Sequence, residues 1–182
     1  MVATGGSVPG DDPPESPGDA PYLLGLRLAG RRVTLIGGGA VTGRRLPALL
    51  DSGADVVVVS PELSPAIADR ADEIRWIRRR YAPGDCAGSW LVGAYTDDPG
   101  VNAAVVEEAD GAGIWCVRAD DAPASPAWTP ASGMAGDIQV GILSGDPRRS
   151  ARIRNVIVGA LISGAIAVPT DAEPEQLSLI HI

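Results

Sequence analysis

The sequence predicts an α/β fold: a Rossmann-type parallel sheet with helices on both faces, followed by a small strand-plus-helix lobe. Three observations predict it. Short β-branched runs alternate with longer helical ones between residues 33 and 117. Three consecutive glycines, Gly37-Gly38-Gly39, stand between the first strand and the first helix. Beyond residue 120 the prolines Pro123, Pro126 and Pro130 break the alternation and leave one more strand and one more helix.

Taken in order, Val33–Ile36 reads as a strand, Val41–Leu50 as a helix closed by Gly53, and Val56–Val59 as a second strand. Ser64–Ala71 reads as a helix, Ile74–Arg80 as a third strand and Trp90–Ala94 as a fourth. Val101–Ala109 fits a helix ending near Gly111 and Gly113, and Ile114–Val117 a fifth strand. Pro47 removes a hydrogen bond to Gly43 and is expected to kink the first helix or end it early. In the lobe, Ile138–Leu143 reads as a strand and Arg149–Leu161 as the last helix.

These signals divide the chain into a disordered tail (1–21), a nucleotide-binding domain (22–122), a lobe expected to bury its apolar face against a second subunit (123–168), and a linker-like tail (169–182). The tail leads to almost nothing, which reads as a chain cut ahead of a further domain.

Composition removes several chemistries. All 15 basic residues are Arg, so a phosphate-binding Walker lysine, a Schiff-base lysine and a lysine base are excluded. The one histidine, His181, lies next to the last residue, which disfavours a Ser-His-Asp triad or a His-rich metal site. Cys86 and Cys116 have no metal-ligand neighbours in sequence and read as reduced, structural thiols. The net charge of −8 argues against nucleic acid as a partner, although much of the excess acid sits in the two tails, so an anionic small molecule is compatible. No apolar run approaches the ~20 residues that span a bilayer, and the acidic N-terminus lacks a signal peptide's pattern, so the expected location is cytoplasmic, without a membrane partner.

The segment Leu35-Ile36-Gly37-Gly38-Gly39-Ala40-Val41-Thr42 puts a glycine turn at a strand's end and a helix's start, where backbone amides and the helix dipole favour a pyrophosphate. Gly37 permits the tight turn and Gly39 the close approach of phosphate, while Thr42 occupies the third fingerprint position in place of Gly or Ala. Ser60, followed by Pro61 and Glu62, stands where an acidic residue usually holds the ribose. With Glu62 within reach of a ribose hydroxyl and no Arg at this strand end, NAD is favoured over NADP.

Thr96-Asp97-Asp98 followed by Val101-Asn102, Cys116-Val117-Arg118-Ala119-Asp120, and the segment from Ile138 to Gly145 complete a familiar order. Over about residues 22–162 the chain resembles the dehydrogenase/chelatase domain of siroheme synthase, the precorrin-2 dehydrogenase family. The resemblance implies a homodimer that binds NAD, with Thr96 and Asp97 beside the cofactor. It implies NAD-dependent oxidation of precorrin-2 to sirohydrochlorin, and in some members insertion of ferrous iron. The family's functional carboxylate, in a Cys-x-x-x-Asp stretch, falls on Asp120.

Dehydrogenating a reduced tetrapyrrole also needs a base for the accompanying proton, typically contributing about 10²–10⁴ in rate. Without Lys or a usable His, a carboxylate at the sheet's carboxyl edge fits, and Asp120 has a rival in Asp121 unless the pair merely forms a turn before Pro123. For a substrate rich in carboxylates, Ser144, Arg148, Arg149 and Arg152 at the start of the last helix are candidate contacts, with a solvated helix face as the alternative. The family's Ser-Gly-Gly turn is here Ser144-Gly145-Asp146. No metal-ligand cluster is spaced in the sequence, so iron would enter as a substrate through proton removal from the pyrroles. A regulatory module that binds NAD without chemistry is the competing reading.

Overall fold

A computed structural model describes residues 21–168. The disordered tail expected at residues 1–21, all but Pro21, and the linker-like tail expected at residues 169–182 lie outside the described residues. The chain divides between Trp128 and Thr129 into two compact units.

The first unit runs β1 (Arg32–Ile36), α1 (Ala40–Asp51), β2 (Asp55–Val59), α2 (Pro65–Ala68), a 3-10 turn (Ala71–Glu73), β3 (Arg75–Ile77), β4 (Leu91–Ala94), α3 (Pro99–Gly111) and β5 (Trp115–Arg118). The strands form one sheet in the order β3-β2-β1-β4-β5. Every neighbouring pair is parallel, with Ile36 level with Val59 on one side and Ala94 on the other. The order reverses direction at β1, so the crevice beyond the carboxyl ends of β1 and β4 is the switch point where such sheets bind ligands.

The expected cover on both faces is present. Along β2, Val57 and Val59 join a cluster with Val92, Val105 and Ala109 under α3, whereas Val56 and Val58 join Val33, Leu35 and Leu46 under α1. Alternate strand residues point to opposite faces, so four consecutive valines serve two cores at once. Fully burying each such side chain contributes roughly 1.5–3 kcal/mol.

Three expectations need correction. Helix α1 does not end early at Pro47 but continues to Asp51, because Thr42 and Leu46 are fully buried and fix the helix on the sheet from the turn before the proline. The helix expected over Ser64–Ala71 is one turn of α2 and a separate 3-10 turn, with Ile67 the only buried side chain to anchor it. The third strand stops at Ile77, since the arginines that follow leave the sheet for other partners. Arg78 lies over the Trp76 ring at 5.2 Å, and Arg79 makes a bidentate pair with Asp85 at 2.7 and 2.6 Å.

Residues 119–128 stay with the first unit. The Arg118 backbone N–H donates to Ser125 Oγ at 2.8 Å, Ala127 N–H to the Cys116 carbonyl at 3.1 Å, and Trp128 Nε1 to the Ala122 carbonyl at 2.8 Å.

The second unit contains β6 (Ala131–Ala135) and β7 (Ile138–Ile142), an antiparallel hairpin, and α4 (Pro147–Ile162). The lobe thus has two strands instead of the expected one. Ala-Ser-Gly-Met-Ala carries no β-branched residue, and β6 is recruited by its neighbours. Gly136, at φ +62°, makes the turn, and a Cβ at Gly133 would collide with the Arg154 side chain, so α4 packs directly on β6 there.

Candidate functional site

The glycine turn sits at the switch point and each glycine answers a different demand. Gly37 has φ +111°, and a Cβ on it would lie 2.5 Å from the Tyr95 carbonyl oxygen. Gly38 faces the Glu62 carbonyl oxygen so closely that any side chain would collide with it. At Gly39 a Cβ would meet nothing within 4 Å, leaving open space before the first turn of α1. Thr42 is no defect at its position: its buried hydroxyl donates to the Gly37 carbonyl at 2.6 Å and fastens the turn to the helix.

Gly39 is also the N-cap of α1, where no side chain caps the helix and no acid occupies the first turn. Its first amides are left for an external acceptor. Gly39, at that helix start, lines a cavity of about 650 Å³ walled by the glycine turn, Ser60 to Ser64, Arg80, Tyr81 and Tyr95 to Asp98. The buried Ser64 hydroxyl lacks a hydrogen-bond partner. An uncapped helix start and an open Gly39 on one cavity fit a phosphate-bearing ligand.

Of the residues expected to hold a cofactor, Gly37, Gly38, Gly39, Ser60, Pro61, Glu62, Thr96 and Asp97 all line this cavity. Ala40 and Val41 begin α1 outside its wall, Val41 packing against the core. Ser60 is buried, and its carbonyl accepts from Trp76 Nε1 at 2.9 Å.

At the carboxyl end of β5, Asp120 is clamped. Arg118 donates to both carboxylate oxygens at 2.9 and 2.8 Å, and Asn102 Nδ2 adds a third bond at 2.8 Å. The Arg118 hydrogen bonds, helped by Asn102, outweigh partial burial and hold Asp120 down to about 2. Asn102 itself is fully buried on α3, its Oδ1 accepting from the Thr96 N–H at 3.0 Å and hydroxyl at 2.8 Å, its Nδ2 also donating to the Thr96 carbonyl. A continuous network therefore joins cavity-lining Thr96 to Asp120. Asp98 caps α3 by accepting from the Gly100 and Val101 amides.

Ser144, Arg148, Arg149 and Arg152 lie in the second unit. The three arginines are exposed on the first turns of α4. Ser144 Oγ is within 2.8 Å of the buried Ser150 hydroxyl.

Sequence reasoning gave no role to Asn102, Ser64, Tyr81 or Arg80. Asn102 had a signal, being the polar residue that shares the buried face of α3 with Val105 and Ala109, three and seven positions on. Arg80, read as the last residue of the third strand, instead lies beyond its end and reaches the cavity wall.

Turn, helix start and switch-point cavity define a Rossmann-type dinucleotide-binding domain. The chain belongs to the NAD(P)-binding domain family whose model matches residues 24–131. Its curated relatives include the siroheme synthase of Chromobacterium violaceum, 41% identical over 126 residues, covering 68% of this chain and 27% of that protein. Siroheme synthase 3 of Aeromonas hydrophila is 43% identical over 97 residues, covering 52% and 21%. The chain spans about a quarter of the length of these relatives. Among solved structures, SirC, a precorrin-2 dehydrogenase, shares the fold at a TM-score of 0.65 and 24% identity, covering 76% of this chain and 70% of that one. The resemblance to siroheme synthase read from the sequence, and the nicotinamide dinucleotide it implies, are borne out.

Proposed function

We propose that this chain carries out the NAD-dependent oxidation of precorrin-2 to sirohydrochlorin. The observation that carries the reading is the uncapped start of α1 on a switch-point cavity, joined through Thr96 and Asn102 to a carboxylate at the end of the neighbouring strand. The siroheme synthase relatives and the fold shared with a precorrin-2 dehydrogenase support the choice of substrate.

Gly39 and the first turn of α1 would hold the pyrophosphate, Ser60 to Glu62 the adenosine half, and Thr96 with Asp97 the nicotinamide half. When bound, NAD supplies the hydride acceptor. Asp120 takes the proton. Paired with Arg118 it is a weak base, so in this reading the substrate's carboxylates draw Arg118 away and restore basicity to Asp120. Asn102 keeps the carboxylate in place meanwhile.

Ser144, Arg148, Arg149 and Arg152 would bind substrate carboxylates. The exposed apolar side chains Met134, Val156 and Ile162 support a homodimer formed through the second unit, and a cytoplasmic location accompanies this reading. Among the described residues no group of three or more His, Cys, Asp or Glu is placed to hold a metal ion. Chelation would therefore treat ferrous iron as a substrate, with Asp120 again receiving protons.

Purified protein given NAD and precorrin-2 should form NADH and sirohydrochlorin together. Dinucleotide binding without NADH formation would reject the enzyme in favour of a module that only senses the cofactor. Siroheme formed from sirohydrochlorin and ferrous iron above the uncatalysed rate would establish chelatase activity.

A further inference from the structure

Helix α3 meets the cavity region from two places. Near its start Val101 lines the cavity directly. Seven positions on, about two turns along the same face, Glu108 reaches the segment that joins β3 to β4. Its Oε2 accepts from the Tyr81 hydroxyl at 2.6 Å and the Gly84 N–H at 3.0 Å, and its Oε1 from the Cys86 N–H at 2.8 Å. Burial raises the Glu108 carboxyl, but these bonds outweigh it and hold the group below the ordinary glutamate range.

Of the three donors, Tyr81 is the one that lines the cavity, and it also packs against the core beneath α3. The segment has a second fastening. Asp85 pairs with Arg79 at 2.7 and 2.6 Å and accepts from the Ala82 N–H at 2.8 Å, which holds the backbone on either side of Tyr81 and leaves the phenol to Glu108. A carboxylate is required there. With donors on both oxygens, the NH2 of an amide would face one of the two backbone N–H groups whichever way it turned.

We propose that Glu108 is a positioning residue for the dinucleotide: from α3 it fixes Tyr81 as a wall of the cavity, so that a carboxylate outside the cavity lining sets part of the cofactor's affinity. The proposal rests on the dinucleotide reading of the cavity and extends it to a residue that does not touch the ligand. With Asn102 holding Thr96 and Asp120, one helix then positions two separate parts of the site.

The test measures NADH binding to the intact chain by cofactor fluorescence, with a thermal melt of each variant. Glu108→Gln should weaken NADH about fivefold, and Tyr81→Phe, which keeps the ring and loses its tether, about threefold. In the double variant the loss should match that of Glu108→Gln alone, because both changes cut the same link. Arg79→Met loosens the same segment without touching the phenol. It should lower the melting temperature yet leave NADH affinity within about twofold of the parent. Tyr81→Phe removes one hydroxyl, so it decides the matter even where Glu108→Gln melts below the assay temperature. Unchanged NADH affinity in Tyr81→Phe or Glu108→Gln, losses that multiply in the double variant, or an equal loss in Arg79→Met would overturn the positioning role while leaving the dinucleotide reading intact. Failure of the unaltered protein to bind NADH would remove that reading and this proposal together.

Discussion

Asn102 donates to Asp120 from a side chain with no exposure to solvent, while its other atoms close on the backbone and hydroxyl of Thr96. One buried amide thereby fixes the spacing between the loop after β4 and the loop after β5. Asn102→Leu would strand the Thr96 N–H and one side of the carboxylate. A loss of about 2–4 kcal/mol in urea unfolding is expected, with Asn102→Asp also destabilising because it sets a second carboxylate against Asp120.

Arg118 controls how acidic Asp120 is. Replacing it by Met removes two of the three side-chain hydrogen bonds to the anion and should raise the carboxyl from about 2 toward the ordinary aspartate range. The sign in the stability curve follows. The depressed carboxyl contributes stability above the ordinary aspartate value and loses it as pH falls toward 2, so the variant should show less additional destabilisation than the parent across that acid window. A carbon-detected NMR titration of Asp120 reads the shift directly, and an unchanged midpoint would contradict the pairing.

The glycines separate folding from binding. Gly38→Ala collides with the Glu62 carbonyl and should lower the melting temperature markedly as well as ending dinucleotide binding. Gly39→Ala faces open space and should cost less than about 1 kcal/mol in stability while weakening NADH binding at least about tenfold by crowding the phosphate. Equal thermal losses in the two variants would contradict this division.

Much of the sheet was legible because its signals are local. Val56 to Val59 sit between turn residues and could only be a strand buried on both faces, and the Gly37 turn announced the helix behind it. The first of the lobe's two strands was hidden, since Ala131 to Ala135 have no strand preference of their own and pair only because Ile138 to Ile142 return alongside them. At the site the cavity wall was foreseen at Ser60, Glu62, Thr96 and Asp97. Arg80 was not, because its position depends on where β3 stops, and that is decided by Arg79 finding Asp85 and Arg78 finding Trp76, contacts with no periodic trace. The clamp on Asp120 was hidden for a related reason: a one-residue gap between Arg118 and Asp120 does not reveal that both turn to the same side.

Cys86 and Cys116 should be inert while the protein is folded. Both are buried, and burial pushes their thiols up, to about 12 for Cys86 and about 11 for Cys116, so almost no thiolate exists near neutrality. A thiol-reactive dye at neutral pH should modify neither in the native state and both in denaturant. Rapid native labelling would show that one of them reaches solvent.

The rim formed by Ser60 to Ser64 is tied to the glycine turn twice, by the Ser64 N–H to the Gly38 carbonyl at 2.7 Å and by the Glu62 carbonyl resting on Gly38. Such a rim cannot behave as a hinged flap. Its ordering entropy is met when the polypeptide folds, so a nucleotide meets a preorganised seat, and selectivity among nucleotides is set by which groups already stand on that rim rather than by how the rim rearranges.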